Sequence, residues 1–176
     1  MPANLQTDPE QLNQLPANEA EGEFLKCCGS KNWARKMTSA RPFVSLDELI
    51  IQADQIWWLL EPADWLEAFH SHPKIGEKKA AAETAVAAQQ WSEDEQSGIR
   101  DSAEQTIAML ADLNRAYEEK FGFIFIVCAS GKSSDEMLAI LRNRLGNERE
   151  AELRIAAGEQ VKITELRLRK LLVVED

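Results

Sequence analysis

The sequence predicts an all-α fold, seven to nine helices in one compact domain spanning residues 1–176. Three observations carry that expectation. Ser-x-x-Glu spacing of the capping-box kind recurs at Ser45/Glu48, Ser92/Glu95 and Ser133/Glu136. Between these starts, apolar residues return at the 3.6-residue period of a buried helix face. The run Phe123-Ile-Phe-Ile-Val-Cys128 is the single strongly β-like stretch, and one short strand has nothing to pair with in a helical chain. It reads as a buried extended connector.

Taken in order, Asp8-Pro9 opens a short turn-rich segment, with a capping carboxylate before a proline. Asn18 is the expected cap of a helix carrying Phe24, Leu25 and Cys28. Gly29 is the expected left-handed stop, and Ser30 the cap of a helix with Trp33 and Met37. Arg41-Pro42 breaks that helix. From Ser45 the residues Leu49, Ile50, Ala53, Ile56, Trp57 and Leu60 form one wide apolar face, and Pro62 starts a short helix with Trp65, Leu66 and Phe69. His70-Ser71-His72-Pro73-Lys74-Ile75-Gly76-Glu77 then reads as an ordered loop. Lys79 to Gln90 is alanine-rich and helix-favouring. The helix opened by Ser92 should run to about Tyr117 or Phe121, with Ile99, Ala103, Ile107, Leu110, Leu113 and Tyr117 inward, and Gly122 should end it. Ser133 opens a helix through Met137, Leu138 and Leu141. Asn147 is the expected cap of a last long helix reaching about Leu172.

Bulk properties exclude several classes. Thirty acidic against 20 basic side chains give a net charge of −10, which repels nucleic-acid phosphates and anionic membrane surfaces. An anionic substrate would then need local cations or backbone N–H groups. The three cysteines include a vicinal pair and form no secreted disulfide framework. The N-terminal MPANLQTDPEQ has no signal-peptide pattern, no apolar run approaches the roughly 20 residues of a membrane span, and Val-Val-Glu-Asp is no peroxisomal address. A cytoplasmic protein is the expectation by elimination.

Chemistry has few places to sit. The two histidines, His70 and His72, share one loop. A metal would need further ligands, and no Cys/His cluster supplies them. A histidine bonded to loop backbone is the plain structural reading. The functional one is that Pro73 holds His72 extended and preorganises its imidazole as an acid or base near neutral pH. Ser92, Glu95 and Gln96 fall on one side of a helical turn at the positive end of its dipole. They serve either as an ordinary cap or as a surface for a small polar heterocycle or ureido group. Arg167 and Arg169 each have apolar helical neighbours, so periodicity does not choose between them. Either is a snorkelling surface arginine or the fixed cation a carboxylate substrate needs. Cys128, at the end of an apolar run without an assigned base, reads as a buried thiol. Cys27, Cys28 and the five tryptophans read as core.

Together the stretches Phe24–Ala34 with Arg41-Pro42-Phe43, Phe69–Glu77, Trp91–Gly98 and Asn114–Cys128 resemble the family of 2-oxo-4-hydroxy-4-carboxy-5-ureidoimidazoline (OHCU) decarboxylases of urate degradation. The Ser-His-Pro-x-Ile-Gly-Glu, Ser-x-x-Glu-Gln and Tyr-x-x-Lys-Phe-Gly-Phe elements keep order and spacing, and Glu159 to Leu168 extends the likeness over nearly the whole chain. The resemblance implies an all-helical homodimer that uses no metal or organic cofactor and turns OHCU into (S)-allantoin. It implies His72 as catalytic histidine with Glu95 as the second acid–base candidate. It further implies substrate contacts from Pro73, Ser92, Glu95, Gln96, from Phe125, Ile126, Val127, Cys128 and Ala129 partly through backbone groups, and from Arg167 to an anionic group. His70 is an added imidazole to which the resemblance assigns no part. Two other classes stay open: a cofactor-free acid–base lyase or isomerase for another ureido or imidazole metabolite, and a non-catalytic helical interaction module.

Overall fold

The computed structural model describes residues 8–72 and 93–173, with side chains in the second stretch from Glu104 onward. Among these residues there are eight helices and no strand: α1 (Glu10–Gln14), α2 (Ala17–Cys27), α3 (Lys31–Ala40), α4 (Leu46–Trp58), α5 (Pro62–His70), α6 (Glu93–Phe121), α7 (Ser134–Arg144) and α8 (Arg149–Leu171). The all-α expectation is met. The helix expected over Lys79 to Gln90 and the cap at Ser92 lie outside the described residues. The chain gathers into two compact units, Met1–Ser71 with Ala157–Asp176, and His72–Ala156, so α8 contributes to both.

In the first unit, aromatic side chains fill the core. Phe24 meets Trp33 and Phe43 edge to face at 5.8 and 6.4 Å. Three buried indoles donate to carbonyl oxygens: Trp33 to Ala53, Trp57 to Ala157 and Trp65 to Trp57, at 3.0–3.1 Å. Each N–H is thereby satisfied, which is what allows so large a polar-tipped ring to be buried. Arg41 holds the first turns in place, its Nη1 donating to the Leu12 and Leu15 carbonyls at 2.9 and 2.7 Å. Ser30 caps α3 through the Trp33 N–H, and Ser45 caps α4 through the Glu48 N–H. Glu48 reaches back to the Val44 N–H rather than to Ser45, so the box closes one residue early.

Two boundaries differ from expectation. Asn18 is not the cap of α2: Pro16, with φ already near the helical value, stands there, and its carbonyl accepts from Glu19 and Ala20. Gly29 is not a left-handed stop. The helix ends because Cys28 turns extended, at φ −150° and ψ 122°, and the described glycines with positive φ are Gly122 and Gly131. What Gly29 supplies is clearance, since a Cβ there would sit 2.4 Å from Ser71 Oγ and 2.5 Å from Ser71 Cβ. The close approach seats the turn that leads directly into His72. Gly29→Ala is therefore expected to destabilise by about 1–3 kcal/mol through overpacking. Gly22→Ala, whose Cβ meets nothing within 4 Å inside α2, should stabilise by about 0.5–1 kcal/mol. Paired urea melts decide it, and equal midpoints for the two variants would remove the steric account.

In the second unit, Thr106, Leu110, Asn114, Tyr117 and Phe121 form the buried stripe of α6. Leu110 and Tyr117 were expected there, whereas Ile107 and Leu113 are only half-buried and Ile99 and Ala103 lie outside the described side chains. The shift follows from polar partners, because Thr106 Oγ1 bonds Asp135 at 2.9 Å and carries its face inward. Gly122, at φ +79°, ends α6 as expected. The chain from Phe123 to Cys128 forms neither helix nor strand and is buried throughout, as a buried connector should be. Ser133 and Glu136 close a full capping box on α7. Asn147 does not cap α8 by accepting a backbone N–H; its amide donates to Glu152 at 3.0 Å, and the helix opens at Arg149.

Candidate active site

The histidine region begins at the end of α5. Pro62 at the first turn starts this helix, and Trp65, Ala68 and Phe69 bury one face. His70 is its last helical residue and is exposed, so it belongs to the helix and not to the loop. Ser71 closes the turn, its N–H and Oγ both donating to the Ala68 carbonyl at 3.2 and 2.6 Å. His72 follows, half-buried. A single residue, Ser71, thus separates a solvent-facing imidazole from a partly sheltered one. Pro73 and Ser92 lie outside the described residues. Glu95 and Gln96 occupy the first turn of α6, described as backbone only.

The arginine ambiguity meets two different environments. Arg169 is exposed and lies along its own helix, its Nε and Nη2 on Glu165 at 3.1 and 2.9 Å. Arg167 is half-buried, and its Nη1 donates to the Cys27 carbonyl at 3.4 Å, at the C-terminal end of α2. A cation there complements the negative end of the helix dipole. Both vicinal thiols beside it are buried. Burial pushes Cys27 up to about 12 and Cys28 up to about 11, the nearby Arg167 charge opposing without reversing it. They stay protonated at neutral pH, consistent with core thiols rather than nucleophiles.

The connector carries Phe125, Ile126, Val127 and Cys128 buried, with Ala129 exposed. A buried polar network that sequence reasoning did not single out holds it. Arg144 Nη1 donates to the Ile126 carbonyl at 2.6 Å, and Arg144 Nε donates to Glu152 Oε1 at 2.5 Å. Tyr117 donates its hydroxyl to the same oxygen at 2.5 Å. The guanidinium also lies 4.6 Å from the centre of the Phe125 ring. Burial and the bond to Glu152 hold the Tyr117 phenol far above its ordinary range. Arg144 and Glu152 went unnoticed because a basic last turn and an acidic first turn are what exposed helix ends normally show.

The first unit also has an apolar cleft of about 330 Å³ lined by Trp33, Ile50, Trp57, Val161, Thr164 and Leu168, among others. None of the candidate site residues whose side chains are described, His72, Phe125 to Ala129 and Arg167, lines it. Among the described residues, no three His, Cys, Asp or Glu side chains gather closely enough to share a metal ion.

Compared with solved structures, the fold matches the crystal structure of an OHCU decarboxylase in the presence of (S)-allantoin, with TM-score 0.70 and 42% identity over 85% of this chain and 96% of that one. A crystal structure of (S)-allantoin synthase shares the fold at TM-score 0.66 and 18% identity, covering 93% of this chain and 54% of that one. The all-helical fold thus places the chain in one structural class with these proteins. The family model for OHCU decarboxylase matches residues 13–169. The chain belongs to the OHCU decarboxylase family. Among curated relatives, the uric acid degradation bifunctional protein TTL of Arabidopsis thaliana is 41% identical over 152 residues, 86% of this chain and 47% of that protein. The 2-oxo-4-hydroxy-4-carboxy-5-ureidoimidazoline decarboxylase of Amia calva is 30% identical over 168 residues, 94% of each. The chain spans less than half the length of the bifunctional relatives, 47% of the Arabidopsis protein and 32% of PucL from Bacillus subtilis.

Proposed function

We propose that the protein decarboxylates OHCU to (S)-allantoin. The observation that carries this reading is family membership over residues 13–169, joined to 42% identity with a structure obtained in the presence of (S)-allantoin. In the reaction the bond between the ring and its carboxylate breaks and CO2 leaves. The electron pair passes toward the neighbouring ring C=N, so the substrate supplies its own sink. The ring nitrogen takes up a proton as it accepts the pair, and the enol so formed becomes a carbonyl as its hydroxyl gives up a proton and the ureido-bearing carbon takes one up; delivery to one face of that carbon sets the handedness.

In this reading His72 moves that proton, with Glu95 the second acid–base group. Arg167 orients the leaving carboxylate, Glu95 and Gln96 hold the hydroxyl and ureido region, and Ser92 and Pro73 are further substrate contacts. Phe125 to Ala129 meets the substrate, in part through backbone N–H and C=O groups. A homodimer working in the cytoplasm without a metal or organic cofactor completes the proposal. No helix among the described residues is long and apolar enough to cross a membrane.

The test generates OHCU in place from urate with urate oxidase and hydroxyisourate hydrolase. Absorbance follows its decay, and circular dichroism follows the allantoin. Rapid formation of a single enantiomer is expected. Decay at the spontaneous rate to racemic allantoin, with the protein shown to be folded, would reject the decarboxylase.

A further inference from the structure

We infer that Arg144 is a positioning residue for the decarboxylation: by clamping the Ile126 carbonyl it turns the next amide, Val127 N–H, toward the substrate. The inference rests on the proposed function and deepens it at the connector. A peptide unit is planar, and in its trans form the C=O of one residue and the N–H of the next point to opposite sides. The bond from Arg144 Nη1 to the Ile126 oxygen, at 2.6 Å, therefore also directs the Val127 N–H away from the guanidinium. Among the described residues nothing accepts a hydrogen bond from that N–H, although Val127 is only 6% exposed. Buried backbone donors are nearly always paired, so a donor left over in a buried connector marks a place for a ligand atom.

The clamp is itself rigidly held. Arg144 and Glu152 are buried, and Glu152 accepts from Arg144 Nε, from the Tyr117 hydroxyl and from Asn147 Nδ2, at 2.5, 2.5 and 3.0 Å. Tyr117, Arg144 and Glu152 come from α6, α7 and α8, so side chains from three helices form the network through which Arg144 holds one carbonyl of the connector. Burying an ion pair is a poor route to stability, since well-packed apolar residues often do as well. A fixed backbone orientation is a use that apolar residues do not replace. During CO2 loss, charge grows on the ring, and an N–H aimed at that charge assists the transition state more than the bound substrate.

Arg144→Lys keeps the charge and loses the fork that spans Glu152 and Ile126. With the folded protein in the OHCU assay, kcat should fall about 10- to 100-fold while KM moves less than about threefold, as small misplacements at a reacting centre do. The allantoin formed should also lose part of its enantiomeric excess. Leu110→Ala, a buried α6 change outside the network, serves as the stability control and should lower the melting temperature with kcat within about twofold of the parent. A folded Arg144→Lys enzyme with parental kcat and product handedness overturns the inference. So does a parallel loss in the Leu110→Ala control. Should Arg144→Lys not fold, Tyr117→Phe carries the test: it loosens Glu152 by one hydrogen bond, and kcat should drop at least about threefold with KM unchanged. A parental kcat in that variant overturns the inference as well. An unmodified protein that does not accelerate OHCU decay rejects the proposed function instead, which keeps the two failures apart.

Discussion

His72→Asn is expected to leave the helical circular dichroism spectrum unchanged and to lower kcat about 10²- to 10⁴-fold, the range that a positioned acid–base group usually contributes. Asparagine keeps a polar hydrogen-bonding group of similar reach but does not titrate near neutral pH, so the variant separates placement from proton transfer. Folding should be preserved because His72 is half-buried and stands one residue beyond the Ser71 turn that closes α5, outside the aromatic core. The spontaneous chemistry of OHCU sets the floor, and allantoin formed by the variant should approach the racemate. Turnover within about threefold of the parent would take His72 out of the chemistry and leave Glu95 to carry the proton. His70→Asn is the matched control: its side chain is exposed on the last turn of α5, and kcat should stay within about twofold.

What could be read in advance divides by the range of the cause. Ser30, Ser45 and Ser133 were legible as caps because the donor each one satisfies lies three residues away, within the same local turn. Gly122 was legible for the same reason. Gly29 was recognised as special but for the wrong cause, since its neighbour Ser71 comes from a distant part of the chain and no local pattern reveals it. Asn147 looked like a cap and instead serves Glu152, the carboxylate at the centre of the buried network. The stripe of α6 shifted because Thr106 and Asn114 are polar yet buried, which an apolar period does not count. The same limit applies at the site. Scarcity drew attention to His72, and the buried Phe123–Cys128 run was visible from composition, whereas the Arg144 bond to Ile126 joins residues that share no pattern at all.

Arg167 and Arg169, which periodicity leaves even, differ in their non-local contacts, and on the proposed function Arg167 supplies the second large effect. Charge-assisted hydrogen bonds contribute about 1.5–3 kcal/mol, and each 1.36 kcal/mol is tenfold, so Arg167→Met should lower kcat/KM about 10- to 100-fold or more. Arg169→Met should stay within about twofold. Its partner Glu165 is on the same helix, the two side chains are 48% and 40% exposed, and exposed i,i+4 pairs stabilise by only about 0.3–0.5 kcal/mol. Arg167→Lys should fall between them, because an ammonium keeps the charge but not the flat two-point grip on a carboxylate. Melting temperatures should move little in all three, since the hydrogen bond that Arg167 gives up among the described residues is a long one, to the Cys27 carbonyl at 3.4 Å. The quantity to measure is the decay rate of OHCU at substrate concentrations far below KM, with the spontaneous rate subtracted. A large loss in Arg169→Met with none in Arg167→Met would reverse the assignment. Parental rates in both would place the carboxylate on backbone N–H groups of the connector, where a negatively charged protein can still present positive potential to an anion.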